Sequence, residues 1–285
     1  MKLVRTKAEL REELRAIRDQ DRPIGLVPTM GALHEGHLSL LDTARHRCQT
    51  VVMSLFVNPA QFRPGEDVEA YPRDEARDLE LADAHGVDLV YAPEPNEVYP
   101  PGFATTVEVG GELARVLEGD PAGRGSEHFR GVTTVVAKLL NSVAPDVAFF
   151  GQKDAQQALV IRHMVRDLDF AVEVVVLPIV RAADGLAFSS RNSYLDAEQR
   201  ERAVALSSAL AAAERCVGAG GSPAEALAAG RAELDAAGVE PEYLEARDAE
   251  TLAPVASFNG RPVLVAVAAR IGPARLIDNV VIGGS

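Results

Sequence analysis

The segment that most constrains the fold is residues 50–57, Thr-Val-Val-Met-Ser-Leu-Phe-Val, which is β-branched and almost wholly apolar. A strand of this composition must be covered on both faces, as in a parallel sheet with helices above and below. Shorter strand-like runs stand at 24–27, 88–91, 147–150 and 172–176. Helical patterns separate them at 8–18, from Gly36 through Leu38, Leu41 and Ala44, and at 74–85, 132–143 and 155–168. The first helix opens on a capping box, Thr6-Lys7-Ala8-Glu9, and sets Leu10, Leu14 and Ile17 on one face. Pro145 ends the helix at 132–143. This alternation predicts an α/β fold with a Rossmann-like, doubly wound parallel sheet. Such sheets bind ligands at the carboxyl ends of their strands, so the loops after Val27, Val57, Phe150 and Val176 are where chemistry is expected.

The pattern changes near residue 180. Asp196 caps a long alanine-rich helix that reaches about Val217, and the glycines at 218, 220 and 221 break it. Ser222-Pro223-Ala224-Glu225 starts another helix, with N-cap, N1 proline and N3 glutamate all in place. Residues 243–246, 263–269 and 276–282 read as strands, with Asn259-Gly260 as a turn. The expected organisation is a Rossmann-like domain at 1–180 and a smaller α+β domain at 181–285.

Charge narrows the partners. Lys and Arg number 29 against 42 Asp and Glu, a formal net charge of −13, which argues against a nucleic-acid or anionic-membrane surface. Lys2, Lys7, Lys138 and Lys153 are the only lysines, so a lysine in a strand-end loop stands out. Cys48 and Cys216 lie in no metal-spaced cluster and fit free thiols in a reducing compartment. Cys48 follows the basic run Arg45-His46-Arg47 and reads as a helix-end thiol, with a nucleophile as the alternative. No apolar run is long enough for a membrane span and residues 1–7 contain no secretory h-region, so a cytoplasmic protein is expected.

The first loop carries the strongest motif. Residues 28–37, Pro-Thr-Met-Gly-Ala-Leu-His-Glu-Gly-His, join a strand to a helix start and place His34 and His37 three apart. A helical zinc pair wants histidines four apart with a third ligand, and none is evident. A helix N-terminus attracts phosphate, and two imidazoles can donate to phosphate oxygens as charge builds up. After the strand at 147–150 comes Gly151-Gln152-Lys153-Asp154, with one of the scarce lysines at a helix start. After the last parallel strand comes Asp184-Gly185-Leu186-Ala187-Phe188-Ser189-Ser190-Arg191-Asn192, whose hydroxyls and guanidinium can wrap a triphosphate.

Together these blocks resemble the pantothenate synthetase (pantoate–beta-alanine ligase) family of the HIGH-motif nucleotidyltransferase superfamily. The match also includes Phe56-Val57-Asn58-Pro59-x-Gln61-Phe62, Ala70-Tyr71-Pro72-Arg73, His128-Phe129-Arg130-Gly131-Val132 and Phe149-Phe150-Gly151-x-Lys153-Asp154-x-Gln156-Gln157. The paired-histidine block points to the superfamily; the Asn-Pro-x-Gln-Phe and Gly-x-Lys-Asp-x-Gln-Gln blocks narrow it to the family.

The resemblance implies ATP-dependent ligation of (R)-pantoate and beta-alanine, through pantoyl adenylate, with release of pyrophosphate and AMP. It assigns ATP to Met30, Gly31, Ala32, Leu33, His34, Glu35, Gly36 and His37, to Gly151, Gln152, Lys153 and Asp154, to Val180, and to Phe188, Ser189, Ser190 and Arg191. His37 is the expected proton donor, acting with His34, Lys153, Ser189, Ser190 and Arg191. Pantoate is assigned to Gln61 and Gln157 and beta-alanine to Gln61; a neutral amide binds a hydroxy acid without burying another charge. Further expectations are Mg²⁺ delivered with ATP and no metal site of the protein's own, a homodimer, and a small domain closing over the ATP site about residues 182–185. Gln152 and Phe188 depart from the family pattern, and residues 120–127 are longer than its approach to His128, which reads either as a loop-ordering residue or as a ligand contact. Two other readings are a HIGH-motif adenylyltransferase acting on a phosphorylated vitamin intermediate, and a nucleotide sensor without turnover.

Overall fold

The structure, a computed structural model, describes residues 1–18, 23–63, 65, 66, 68–120, 123–258 and 260–283. The chain forms two compact units: Met1–Gly151 with Gln156–Pro178, and Gln152–Ala155 with Ile179–Ser285.

The first unit runs β1 (Lys2–Val4), α1 (Lys7–Arg18), β2 (Ile24–Thr29), α2 (Glu35–Arg47), β3 (Thr50–Leu55), α3 (Glu75–Ala84), β4 (Leu89–Tyr91), α4 (Pro95–Val98), α5 (Ser126–Val143), β5 (Val147–Gly151), α6 (Ala155–Asp167) and β6 (Glu173–Leu177). Its sheet has the order β1-β4-β3-β2-β5-β6, and every pairing is parallel. Alternate residues of the central strands feed two cores, as the strand period requires. Leu26 and Val52 pack with Leu10 and Leu14 of α1 and with Val132 and Val136 of α5. Val27, Val51 and Met53 pack with Leu40, Leu41 and Ala44 of α2. Each such buried Leu, Val or Met side chain contributes roughly 1.5–3 kcal/mol from apolar burial.

Strand order reverses between β2 and β5, and this switch point is where a doubly wound sheet opens its ligand crevice. β2 pairs with β3 from Ile24↔Thr50 to Thr29↔Leu55, but its ladder with β5 ends at Leu26↔Ala148. Pro28, two residues further on, has no N–H to extend it.

Several boundaries differ from the sequence reading. β1 gives no sequence signal, because three residues are too few to show a period. β3 stops at Leu55, and α5 starts at Ser126 where the sequence suggests residue 132. Gly131 obscures that helix start, since glycine is a poor helix former. It is there because a Cβ would collide with the Ala60 carbonyl.

The second unit contains α7 (Ala197–Gly218), α8 (Pro223–Ala236) and an antiparallel sheet β7 (Pro241–Asp248), β8 (Val263–Ile271), β9 (Ala274–Ile282), paired in that order. Capping boxes begin both helices, at Asp196/Gln199 and Ser222/Glu225. Ala203, Leu206, Ala209, Leu210 and Ala213 of α7 pack on Val263, Val265 and Val267 of β8. β8 and β9 turn through Gly272, which takes φ +56. Asn259, half of the expected turn, lies outside the described residues. Among the described residues no helix is long and apolar enough to cross a membrane.

Candidate active site

The loop from β2 to α2 folds through two left-handed residues, Gly31 at φ +86 and Ala32 at φ +51. Its anchor comes from α3. The Asp78 carboxylate, 2% exposed, accepts the Ala32 N–H at 2.9 Å and the Leu33 N–H at 2.8 Å. Burial pushes the Asp78 carboxyl above its ordinary range; the two N–H groups and Arg77 oppose that rise, and Asp74 adds to it. Sequence reasoning misses Asp78, one of several acids on an ordinary amphipathic helix.

His34 is the N-cap of α2, and its Nδ1 accepts the Gly36 N–H at 3.2 Å. A ring accepting at Nδ1 carries its proton on Nε2 when neutral. The His34 and His37 rings stack with centroids 4.1 Å apart. The helix start is less open to phosphate than its sequence suggests: the His37 N–H also turns back, to the His34 carbonyl at 2.7 Å. Cys48 caps the far end of α2, and burial raises its thiol, which suits the helix-end reading and not a nucleophile.

Gln61 ends a 3-10 turn, Pro59–Gln61, and is 8% exposed. Its Oε1 accepts from Asn58 Nδ2 at 3.1 Å, and its Nε2 lies 3.1 Å from the Met30 sulfur. Asn58 in turn donates to the Gly131 carbonyl at 3.1 Å and accepts the Tyr99 hydroxyl at 2.7 Å. Burial pushes Tyr99 up to about 12, so it remains a donor. His128 lies on α5, 5% exposed, with Nδ1 2.8 Å from the Gln61 carbonyl and Nε2 3.1 Å from the Arg124 guanidinium. One tautomer satisfies both contacts, with the proton on Nδ1 and Nε2 accepting. The bond to the Gln61 carbonyl fits the loop-ordering reading of His128. Pro121 and Ala122, in the loop before it, lie outside the described residues.

The adjacent glutamines separate as helical neighbours must. Gln156, 4% exposed, spends its amide on Leu113, Val116 and Glu118 backbone groups, each at 2.8–3.0 Å. Gln157 is half-buried on another face of α6.

In the second unit, Gln152, Lys153 and Asp154 form a 3-10 turn held by β9. Asn279 Nδ2 donates to the Gln152 and Lys153 carbonyls, both at 3.0 Å, and Gln152 Nε2 returns a bond to Asn279 Oδ1 at 3.3 Å. The Gln152 side chain is thus spent on structure. Val180 accepts the Phe188 N–H at 3.1 Å, and an Arg181↔Ala187 bridge closes a hairpin whose turn is Asp184-Gly185, with Gly185 at φ +92. The expected connection at 182–185 is thus the turn of a hydrogen-bonded hairpin. The hairpin is pinned twice, by Arg181 to buried Asp278 at 2.6 and 2.9 Å and by Arg200 Nε to Asp184 at 2.8 Å. Ser189 then caps the 3-10 turn Ser190–Tyr194, its Oγ accepting the Arg191 N–H at 3.3 Å.

Among the described residues, no group of three or more His, Cys, Asp and Glu side chains could hold a metal ion. A doubly wound sheet with paired, stacked histidines at the helix after its switch-point strand is the arrangement expected of the HIGH-motif class. The profile of the pantoate-beta-alanine ligase family matches residues 2–281. Pantothenate synthetase of Rhizorhabdus wittichii is 50% identical over 283 residues, 99% of either chain, and that of Moorella thermoacetica is 52% identical over 286. The crystal structure of pantothenate synthetase from Thermus thermophilus superposes with a TM-score of 0.92 at 50% identity, covering 98% of this chain and 99% of that one. A pantoate-beta-alanine ligase from Francisella tularensis, complexed with beta-gamma ATP and beta-alanine, superposes with a TM-score of 0.81 at 31% identity, covering 98% and 97%. The chain belongs to the pantoate-beta-alanine ligase family.

Proposed function

We propose that the chain joins pantoate to beta-alanine at the expense of ATP, in two half-reactions through pantoyl adenylate. The observation that carries the reading is the contact between Gln61 and Met30, at 3.1 Å. Gln61 stands at the family's pantoate and beta-alanine position, and Met30 begins the segment assigned to ATP. Acid and nucleotide positions therefore adjoin, as attack of a carboxylate on the α-phosphate requires.

In the first half-reaction a pantoate oxygen bonds to the α-phosphorus and the bond to pyrophosphate breaks. His34 and His37 donate hydrogen bonds to the phosphate oxygens as charge shifts towards the leaving group, with Lys153, Ser189, Ser190 and Arg191 neutralising it. Gln61 and Gln157 hold pantoate. In the second, the beta-alanine amine bonds to the acyl carbon, AMP leaves, and the amine loses a proton. Mg²⁺ enters as the ATP complex, keeping several waters. We further infer a cytoplasmic homodimer in which residues 1–180 bind nucleotide and pantoate and residues 181–285 shield the adenylate from water. Sedimentation equilibrium at micromolar protein should give twice the chain mass; a single-chain mass would remove the dimer.

The experiment is exchange of labelled pyrophosphate into ATP. D-pantoate without beta-alanine should start it, and beta-alanine alone should not. Exchange independent of pantoate would point to another adenylyl acceptor.

A further inference from the structure

We propose that Asp78 is a positioning residue of the nucleotide site, holding the Met30–His37 loop in the one conformation that presents its histidines. The proposal rests on reading that loop as the ATP segment. Three observations carry it. Asp78 reaches the loop from α3, more than forty residues along the chain, and both its oxygens are used on consecutive N–H groups, Ala32 at 2.9 Å and Leu33 at 2.8 Å. Those N–H groups belong to the strained stretch: Ala32 takes φ +51, a region L-residues avoid without compensation. Asp78 also fills the space beside Gly31, where an added Cβ would lie 2.8 Å from Oδ2 and 3.0 Å from Leu55 Cδ1.

The carboxylate is an expensive choice for a merely structural contact. It is 2% exposed, and burial raises its pKa, so ionised Asp78 opposes folding near neutral pH. Two lone-pair-rich oxygens can accept two parallel N–H groups at once; an amide accepts one and confronts the other with its own N–H₂. What the charge provides is therefore the loop's geometry, obtained against stability.

Asp78→Asn separates these roles. Leaving one buried N–H unsatisfied should raise the KM for ATP about five- to a hundredfold and slow pantoate-dependent pyrophosphate exchange. The KM for pantoate should stay within about twofold, and the variant should remain folded at the assay temperature, because relief of the buried charge offsets part of the cost of the unsatisfied N–H. An unchanged KM for ATP would overturn the proposal. So would a lowered melting temperature with all substrates affected alike, or a variant that fails to fold, since either makes Asp78 a stability residue. His37→Ala, measured alongside, tells the failures apart. If it weakens ATP binding and Asp78→Asn does not, only the role of Asp78 falls. If neither does, the nucleotide reading of the loop falls, and the proposal with it.

Discussion

Two segments assigned to ATP are each latched by an aspartate that accepts backbone N–H groups, and the two latches are opposite in kind. Asp78 is buried and its carboxyl is raised, chiefly by desolvation. Asp184 is exposed and its carboxyl is lowered, chiefly by the Leu186 N–H and further by Arg200. Similar hydrogen bonds thus give shifts of opposite sign, because the cost of removing a carboxylate from water outweighs two N–H bonds in one place and is outweighed by the Leu186 N–H in the other. The first loop is thus fixed by a buried charge, whereas the second combines an exposed carboxylate with a buried ion pair, Arg181 to Asp278.

The largest effect should come from the charge that the second unit presents. Lys153→Ala leaves the Asn279 latch on the turn intact and should lower turnover by about 10²–10³, with stability almost unchanged. A variant keeping more than half its activity would remove Lys153 from the chemistry. Next is the hairpin's buried anchor. Arg181→Ala strands Asp278, 3% exposed, without its bidentate partner and should cost about 3 kcal/mol by chemical denaturation. A loss below about 1 kcal/mol would mean the hairpin stands on its surface contacts alone.

The smallest effects carry the sign of the comparison. Asp184→Asn should cost under about 1 kcal/mol at pH 7, as exposed pairs do. Because the folded carboxyl is lowered, that contribution exists above the unfolded value near ~3.9 and disappears as pH falls through the depressed one. For Asp78 the sign reverses: its contribution favours folding below ~3.9 and is lost as pH rises through the raised value. The melting temperature of Asp78→Asn relative to the unaltered protein should therefore be most favourable at neutral pH and fall on acidification. A difference of constant size across that range would contradict the raised carboxyl.

Much of this is legible in sequence where one periodicity or one cap suffices. The apolar run at 50–57 implies a two-sided sheet, and β3 has it; Asp196 and Ser222 mark helix starts that both carry capping boxes. The strand-end histidines can be placed because a strand and a helix flank them. What stays hidden depends on partners distant in sequence. Nothing local tells Asp78 from the other acids of α3, Asn279 from any strand asparagine, or His128 on a helix from His128 in a loop. The Asp184-Gly185 turn reads as a flexible joint in sequence, since local composition is the same for a joint and for a hairpin pinned by Arg181 and Asp278.

The direct test of the contrast is amide hydrogen exchange with and without ATP. Amides of Ala32 and Leu33, bonded to buried Asp78, should be protected in the free protein and change little. Amides of residues 184–192, already hydrogen-bonded in part, should gain further protection when ATP binds. Equal protection of residues 184–192 in both states, or Ala32 and Leu33 amides that become protected only with ATP, would contradict the account.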